Sequence, residues 1–142
     1  MMSINKICLD ASFVIRYLSQ NNSDSIYVQK LREWQEKNYT LIAPTLIMYE
    51  VTNAFHRAVI AGQITESEAK NFLEEAMALN INFYGDKDLH RDAMKLANLF
   101  RLPATYDAHY LALANRFSVE LWTADSRLYN SVSASLSWVK LI

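Results

Sequence analysis

The sequence predicts an α/β domain built on a parallel sheet. Three observations lead there. Five short apolar runs are spread along the chain. The stretches between them carry apolar residues at helical spacing, with capping signals at several of their starts. A length of 142 residues, 51% hydrophobic and 20% charged, suits one soluble domain spanning residues 1–142 with a full core.

The first run, Ile4 to Leu9, reads as a buried strand. Ala11 to Leu18 reads as a helix. Ser25 to Lys37 reads as another, with Ile26, Leu31 and Trp34 at roughly helical spacing. Tyr39 to Ala43 is the second strand, stopped by Pro44. Thr45 is placed to cap a long helix running to about Ala61. Val51, Phe55, Ala58 and Val59 form its buried stripe, while Glu50, Asn53 and Arg57 fall on a polar face. Gly62 suits the end of that helix. Thr65 and Glu68 make a capping box that opens the next helix, ending near Leu79. Ile81 to Tyr84 is the third strand. Asp86 is placed to cap a helix reaching Phe100, and Pro103 follows its end. Thr105 is placed to cap a helix from Tyr106 to Phe117. Val119 to Thr123 is the fourth strand, Ala124 to Tyr129 a helical turn, and Leu136 to Leu141 the fifth strand. There is no internal repeat, low-complexity tract or linker.

Composition narrows the chemistry. Only two glycines occur, Gly62 and Gly85, so neither glycine-rich phosphate loops nor a G-x-S-x-G nucleophile elbow can be written. A single cysteine, Cys8, excludes an intrachain disulfide and C-x-x-C motifs, and suits a reducing compartment. No run reaches the roughly 18 apolar residues of a membrane span. Asp10 and Arg16 interrupt the N-terminal stretch that a signal peptide would need, so a cytoplasmic location and no membrane partner are expected. The net charge of −1, from 14 basic and 15 acidic residues, does not mark a strongly basic nucleic-acid binder. If four acids hold metal, however, the rest of the chain is net positive.

Four carboxylates stand out by position. Asp10 directly follows the first strand, and Asp125 comes just past the fourth. Asp107 lies in the first turn of a helix, and Glu50 sits one turn into the long helix after the second strand. A parallel sheet would let all four converge on its carboxyl edge. Converging carboxylates repel, and the usual resolution is a hard divalent ion with oxygen ligands, Mg²⁺ or Mn²⁺. Taken singly, each also has an ordinary reading. Asp10 and Asp125 suit helix caps, Asp107 suits the helix dipole, and Glu50 suits a solvated pair with Arg57 or Asn53.

Four segments in order carry a resemblance. They are Leu9-Asp10-Ala11-Ser12, Tyr49-Glu50-Val51-Thr52-Asn53, Tyr106-Asp107-Ala108-His109-Tyr110-Leu111-Ala112-Leu113-Ala114 and Thr123-Ala124-Asp125-Ser126-Arg127-Leu128. Together they resemble the PIN domain, and within it the VapC-type toxins of type II toxin–antitoxin pairs. Order and spacing agree from about residue 4 to residue 142. The resemblance implies a PIN-like three-layer sandwich, with a five-stranded parallel sheet flanked by helices. It implies a metal-dependent endoribonuclease, with Asp10, Glu50, Asp107 and Asp125 as catalytic and metal-binding carboxylates for Mg²⁺ or Mn²⁺. It places Ser12, Asn53 and Thr123 as neighbours that orient ligands or water. It also implies a cognate antitoxin protein and a homodimer. In-line attack by water would leave a 5′-phosphate and a 3′-hydroxyl.

For RNA phosphates the candidates are Arg16, Arg57 and Arg127, with Arg91, Lys6 and Lys30 behind them. His56, His90 and His109 are too scattered to suggest a zinc site, and no Lys or His is placed as an alternative base. Trp34, Trp122 and Trp138 read as core or interface residues. Two other functions fit less well. A receiver or phosphatase using an acid pocket would want a second acid beside Asp10, and Ser12 stands at the phosphatase position instead. A non-catalytic PIN-like interaction module would be favoured by a lost carboxylate, and all four are present.

Overall fold

The structure is a computed structural model, and it describes residues 5–142. Ile4, the first residue of the predicted opening strand, lies outside the described residues. Twelve elements follow among these residues, each strand separated from the next by one or two helices. They are β1 (Lys6–Leu9), α1 (Ala11–Ser19), α2 (Ile26–Glu36), β2 (Thr40–Pro44), α3 (Leu46–Ile60), α4 (Glu66–Met77), β3 (Asn82–Tyr84), α5 (Lys87–Phe100), α6 (Tyr106–Phe117), β4 (Glu120–Thr123), α7 (Ser126–Val132) and β5 (Val139–Leu141).

All strand pairings are parallel, in the order β3-β2-β1-β4-β5. The central strand β1 is apolar on both faces, with Ile7, Cys8 and Leu9 all buried. That pattern belongs to a parallel sheet covered on both sides. The helices supply the cover in two groups, giving the predicted three-layer α/β arrangement. α6 lies against β1, β2 and β4, with α5 packed on it. α1 packs on α2, α3 and α4, and it reaches β4 while α3 reaches β2. α6 is buried all round from Tyr110 to Ala114, as expected of a helix held between a sheet and a second helix.

Helix ends show how local chemistry sets the elements. Asp10, Ser25, Thr65, Asp86 and Asp125 each cap a helix by accepting backbone N–H groups, and Thr65 and Glu68 close the capping box in both directions. Thr45 and Thr105 do not cap. Their backbones are already helical, which turns the hydroxyl away from the N–H groups of the first turn. At the other ends, α2, α3, α5 and α6 close with Schellman hydrogen bonds. Tyr39 N–H reaches Trp34 O, Gln63 N–H reaches Ala58 O, Leu102 N–H reaches Ala97 O and Val119 N–H reaches Ala114 O, at 2.9–3.0 Å. The left-handed residues at these turns are Asn38, Gly62, Arg101 and Ser118. Only one is glycine and one asparagine, so two helices, α5 and α6, end on side chains that rarely adopt this backbone.

The strand order has one consequence for function. The chain lays down β1, β2 and β3 outward on one side, then returns to place β4 on the other side of β1. The crevice at such a reversal, beyond the carboxyl ends of β1 and β4, is where open α/β sheets bind ligands.

Candidate active site

Asp10 and Thr123 meet in that crevice. Asp10 is the residue after β1, and Thr123 ends β4. Asp10 is 4% exposed, yet both oxygens of its carboxylate are hydrogen-bonded, with three donors in all. Oδ1 accepts Ser12 Oγ at 2.6 Å and Phe13 N–H at 3.1 Å, while Oδ2 accepts the Thr123 hydroxyl in a short bond. Ser12 and Thr123 are themselves oriented. Ser12 Oγ accepts Ala124 N–H, and Thr123 Oγ1 accepts Asp125 N–H, both at 2.9 Å. Each hydroxyl therefore spends its one proton on Asp10 and its lone pair on the loop after β4. Burial raises the Asp10 carboxyl to about 6, against the pull of these donors.

The remaining acids approach from three other elements. Asp125 follows β4 and caps α7, accepting the N–H groups of Arg127 and Leu128. Glu50, on α3, accepts the Tyr110 hydroxyl at 2.6 Å. Burial raises its carboxyl, and the charge of Asp107 adds to the effect. Asp107, in the first turn of α6, is also raised, first by burial and then by Asp125. Asp107 is a common neighbour: its charge is felt at both Asp10 and Glu50, and it feels Asp125. Among the described residues it accepts no side-chain or backbone hydrogen bond, and none of the four acids is in an ion pair with Lys or Arg.

The structure thus brings the four predicted carboxylates into one electrostatic neighbourhood, with Ser12 and Thr123 beside Asp10. Among the described residues, no three His, Cys, Asp or Glu side chains are drawn close enough to ligate one ion. The donor chemistry itself fits a hard divalent ion: all-oxygen, anionic and without competing bases. Asn53 is exposed on α3 and is not a hydrogen-bond partner of Glu50.

The basic candidates divide. Arg16, Arg57 and Arg127 are exposed. Arg91 is paired with Asp88 at 2.7 Å. Lys30 is held by Glu33 and by the Trp122 ring, 4.4 Å from its centroid. Lys6 sits over the Phe117 ring at the amino end of β1, the edge opposite the acids. Position along the chain did not reveal these attachments.

Two features went unread in the sequence. Tyr110, given no role of its own in the sequence, orients Glu50 from within the core. His90 and His109, nineteen positions apart, meet at 2.9 Å because α5 and α6 pack side by side. Spacing within one helix gave no sign of either contact, since both run between elements.

Residues 7–132 match the PIN domain family. The chain belongs to that family. The PIN domain is 31% identical over 125 residues to ribonuclease VapC1 of Mycobacterium tuberculosis, covering 88% of this chain and 90% of that protein. It is also 31% identical over 128 residues to ribonuclease VapC3 of Pyrobaculum aerophilum, covering 87% and 92%. Its fold is similar to the crystal structure of VapBC2 from Rickettsia felis bound to a DNA fragment from their promoter, with a TM-score of 0.69. That likeness covers 89% of this PIN domain and 93% of the other chain at 10% identity.

Proposed function

We infer that this PIN domain is an endoribonuclease, the toxin of a type II toxin–antitoxin pair. The observation that carries the reading is the carboxylate group at the β1–β4 reversal, in a chain related along nearly all its length to proteins named as VapC ribonucleases. In our reading, Asp10, Glu50, Asp107 and Asp125 hold Mg²⁺ or Mn²⁺. Such an ion, when bound, polarises the scissile phosphate and lowers the pKa of a water molecule.

The protein's own groups then have distinct tasks. Asp10 is immobile, since Ser12, Thr123 and the Phe13 N–H fix both of its oxygens. Tyr110 fixes one oxygen of Glu50, and the other has no hydrogen-bond partner among the described residues. Asp107 has no hydrogen-bond donor among the described residues, and its carboxyl is raised above the ordinary range by burial and by Asp125. A raised, uncommitted carboxylate is suited to take the proton of an attacking water. Arg16, Arg57 and Arg127 are the exposed cations we assign to RNA phosphates.

The partner we assign is a cognate antitoxin protein, and the assembly a homodimer acting in the cytoplasm. No helix among the described residues is long and apolar enough to cross a membrane.

The test is cleavage of total cellular RNA with Mg²⁺ or Mn²⁺, comparing wild type with Asp107→Asn. Cutting by wild type alone, stopped by chelation, is the expected result. Loss of both the proton acceptor and a metal ligand should lower the rate by roughly 100-fold or more. Equal cutting by both proteins would overturn the site assignment.

A further inference from the structure

Beside the acids lies a pocket of a different character. It has a volume of about 240 Å³ and is walled by Tyr49, Tyr84, Tyr106, His90 and His109, with Gly85 in its lining. Sites for drug-sized ligands run from about 300 to 1,000 Å³, so this one has room for a single ring system. No Asp, Glu, Lys or Arg lines it. Two of its tyrosines are unusually exposed for large aromatic residues: Tyr49 at 74% and Tyr106 at 60%. Each immediately precedes a carboxylate of the site, Glu50 and Asp107.

Gly85 contributes by lacking a side chain. A Cβ there would meet Thr45 Oγ1 at 2.8 Å, so the wall can close this tightly only around glycine.

The histidine pair supplies a defined polar edge. His109 Nδ1 lies 2.6 Å from Thr105 O, a group that can only accept, so Nδ1 carries the proton. With both rings neutral, His109 presents the lone pair of Nε2 and His90 Nδ1–H donates to it at 2.9 Å. In that state His90 is the tautomer with a bare Nε2, an acceptor on a ring that lines the pocket.

Aromatic faces, one fixed acceptor and no formal charge match a nucleobase and do not match a phosphate. We propose that this pocket receives one base of the RNA strand, stacked on the exposed tyrosines and read by His90, while the adjoining phosphate lies at the carboxylates. The proposal rests on the ribonuclease reading for its substrate class. It makes the pocket a specificity determinant of the same site.

The chain has only three histidines, so the imidazole proton resonances give a direct readout. His56 serves as an internal control, since it lines the separate groove between α3 and α4. The four nucleoside 5′-monophosphates are titrated into the full-length protein in EDTA, with resonances assigned from His90→Gln. Saturable shifts of His90 and His109, without movement of His56, are expected for at least one base. Tyr106→Ala should weaken that binding roughly tenfold, from loss of one stacking face. Ribose 5-phosphate should give no shift. Shifts reproduced by ribose 5-phosphate, or unchanged in Tyr106→Ala, overturn the proposal, as does the absence of any saturable shift. The readout does not depend on cleavage. A protein that cuts RNA without these shifts loses the pocket and keeps the ribonuclease reading, and one with the shifts that cuts nothing does the reverse.

Discussion

Asp10 is subject to opposing forces. Its donors favour the carboxylate, but burial outweighs them and lifts the carboxyl to about 6. In metal-free protein the native state therefore binds this proton more tightly than the unfolded chain, whose Asp titrates near 3.8. The sign follows: stability is greatest below about pH 4 on this account and falls as pH rises towards about pH 6. A shift of this size corresponds to about 3 kcal/mol. Glu50 and Asp107 are shifted in the same direction and steepen the slope. Asp10→Asn should flatten it and raise the urea midpoint of the metal-free protein at pH 7. A variant that is less stable at pH 7, with the slope unchanged, would show that the hydrogen bonds matter more than the charge. The same residue shows what a sequence can and cannot disclose. Asp10 and Asp125 suit both helix caps and site acids, and the structure shows both as caps. The role of Tyr110 was not legible, because a hydroxyl at one end of a core ring leaves no mark on an apolar stripe.

The elements themselves were largely legible, because each is announced by its own residues. Helices α4 and α5 begin where Thr65 and Asp86 predict, and α6 spans Tyr106–Phe117 as its periodicity requires. Differences gather at ends. The fifth strand is Val139–Leu141, shorter than Leu136 to Leu141, because Leu136 N–H is taken by Val132 O in the turn after α7. Gly62 marks the close of α3 by residue type, whereas Arg101 and Ser118 adopt the same left-handed turn with nothing in their side chains to announce it. This non-glycine geometry costs about 1–2 kcal/mol per residue, partly offset by the smaller entropy of the unfolded chain relative to glycine. Ser118→Gly should therefore stabilise the fold by about 0.5–1 kcal/mol, read from urea or thermal unfolding. A loss of stability would mean that the backbone at α6 tolerates serine without strain.

At the scale of the molecule, the sheet order decides what the four acids can do together. Alternation of strands and helices predicts a parallel sheet, but the neighbour relation of β1 and β4 is a property of the whole topology. It gathers carboxylates without gathering cations for them. A divalent ion that binds the native state alone should then raise thermal stability by linkage, by about 2.7 kcal/mol at a hundred times its dissociation constant. Adding Mn²⁺ should raise Tm by a few degrees in wild type, reversibly with EDTA and not in Asp10→Asn. An equal rise in the variant would place the ion elsewhere on the surface. There is also a matter of timing. The Asp10–Thr123 contact spans 113 positions of sequence, and Asp125 comes later still. While the chain is being synthesised, its first strand waits for its fourth, and the crevice has no second wall. A site built this way stays unassembled until Thr123 and Asp125 have emerged from the ribosome, so on the ribonuclease reading proposed above the nascent chain is inert until then.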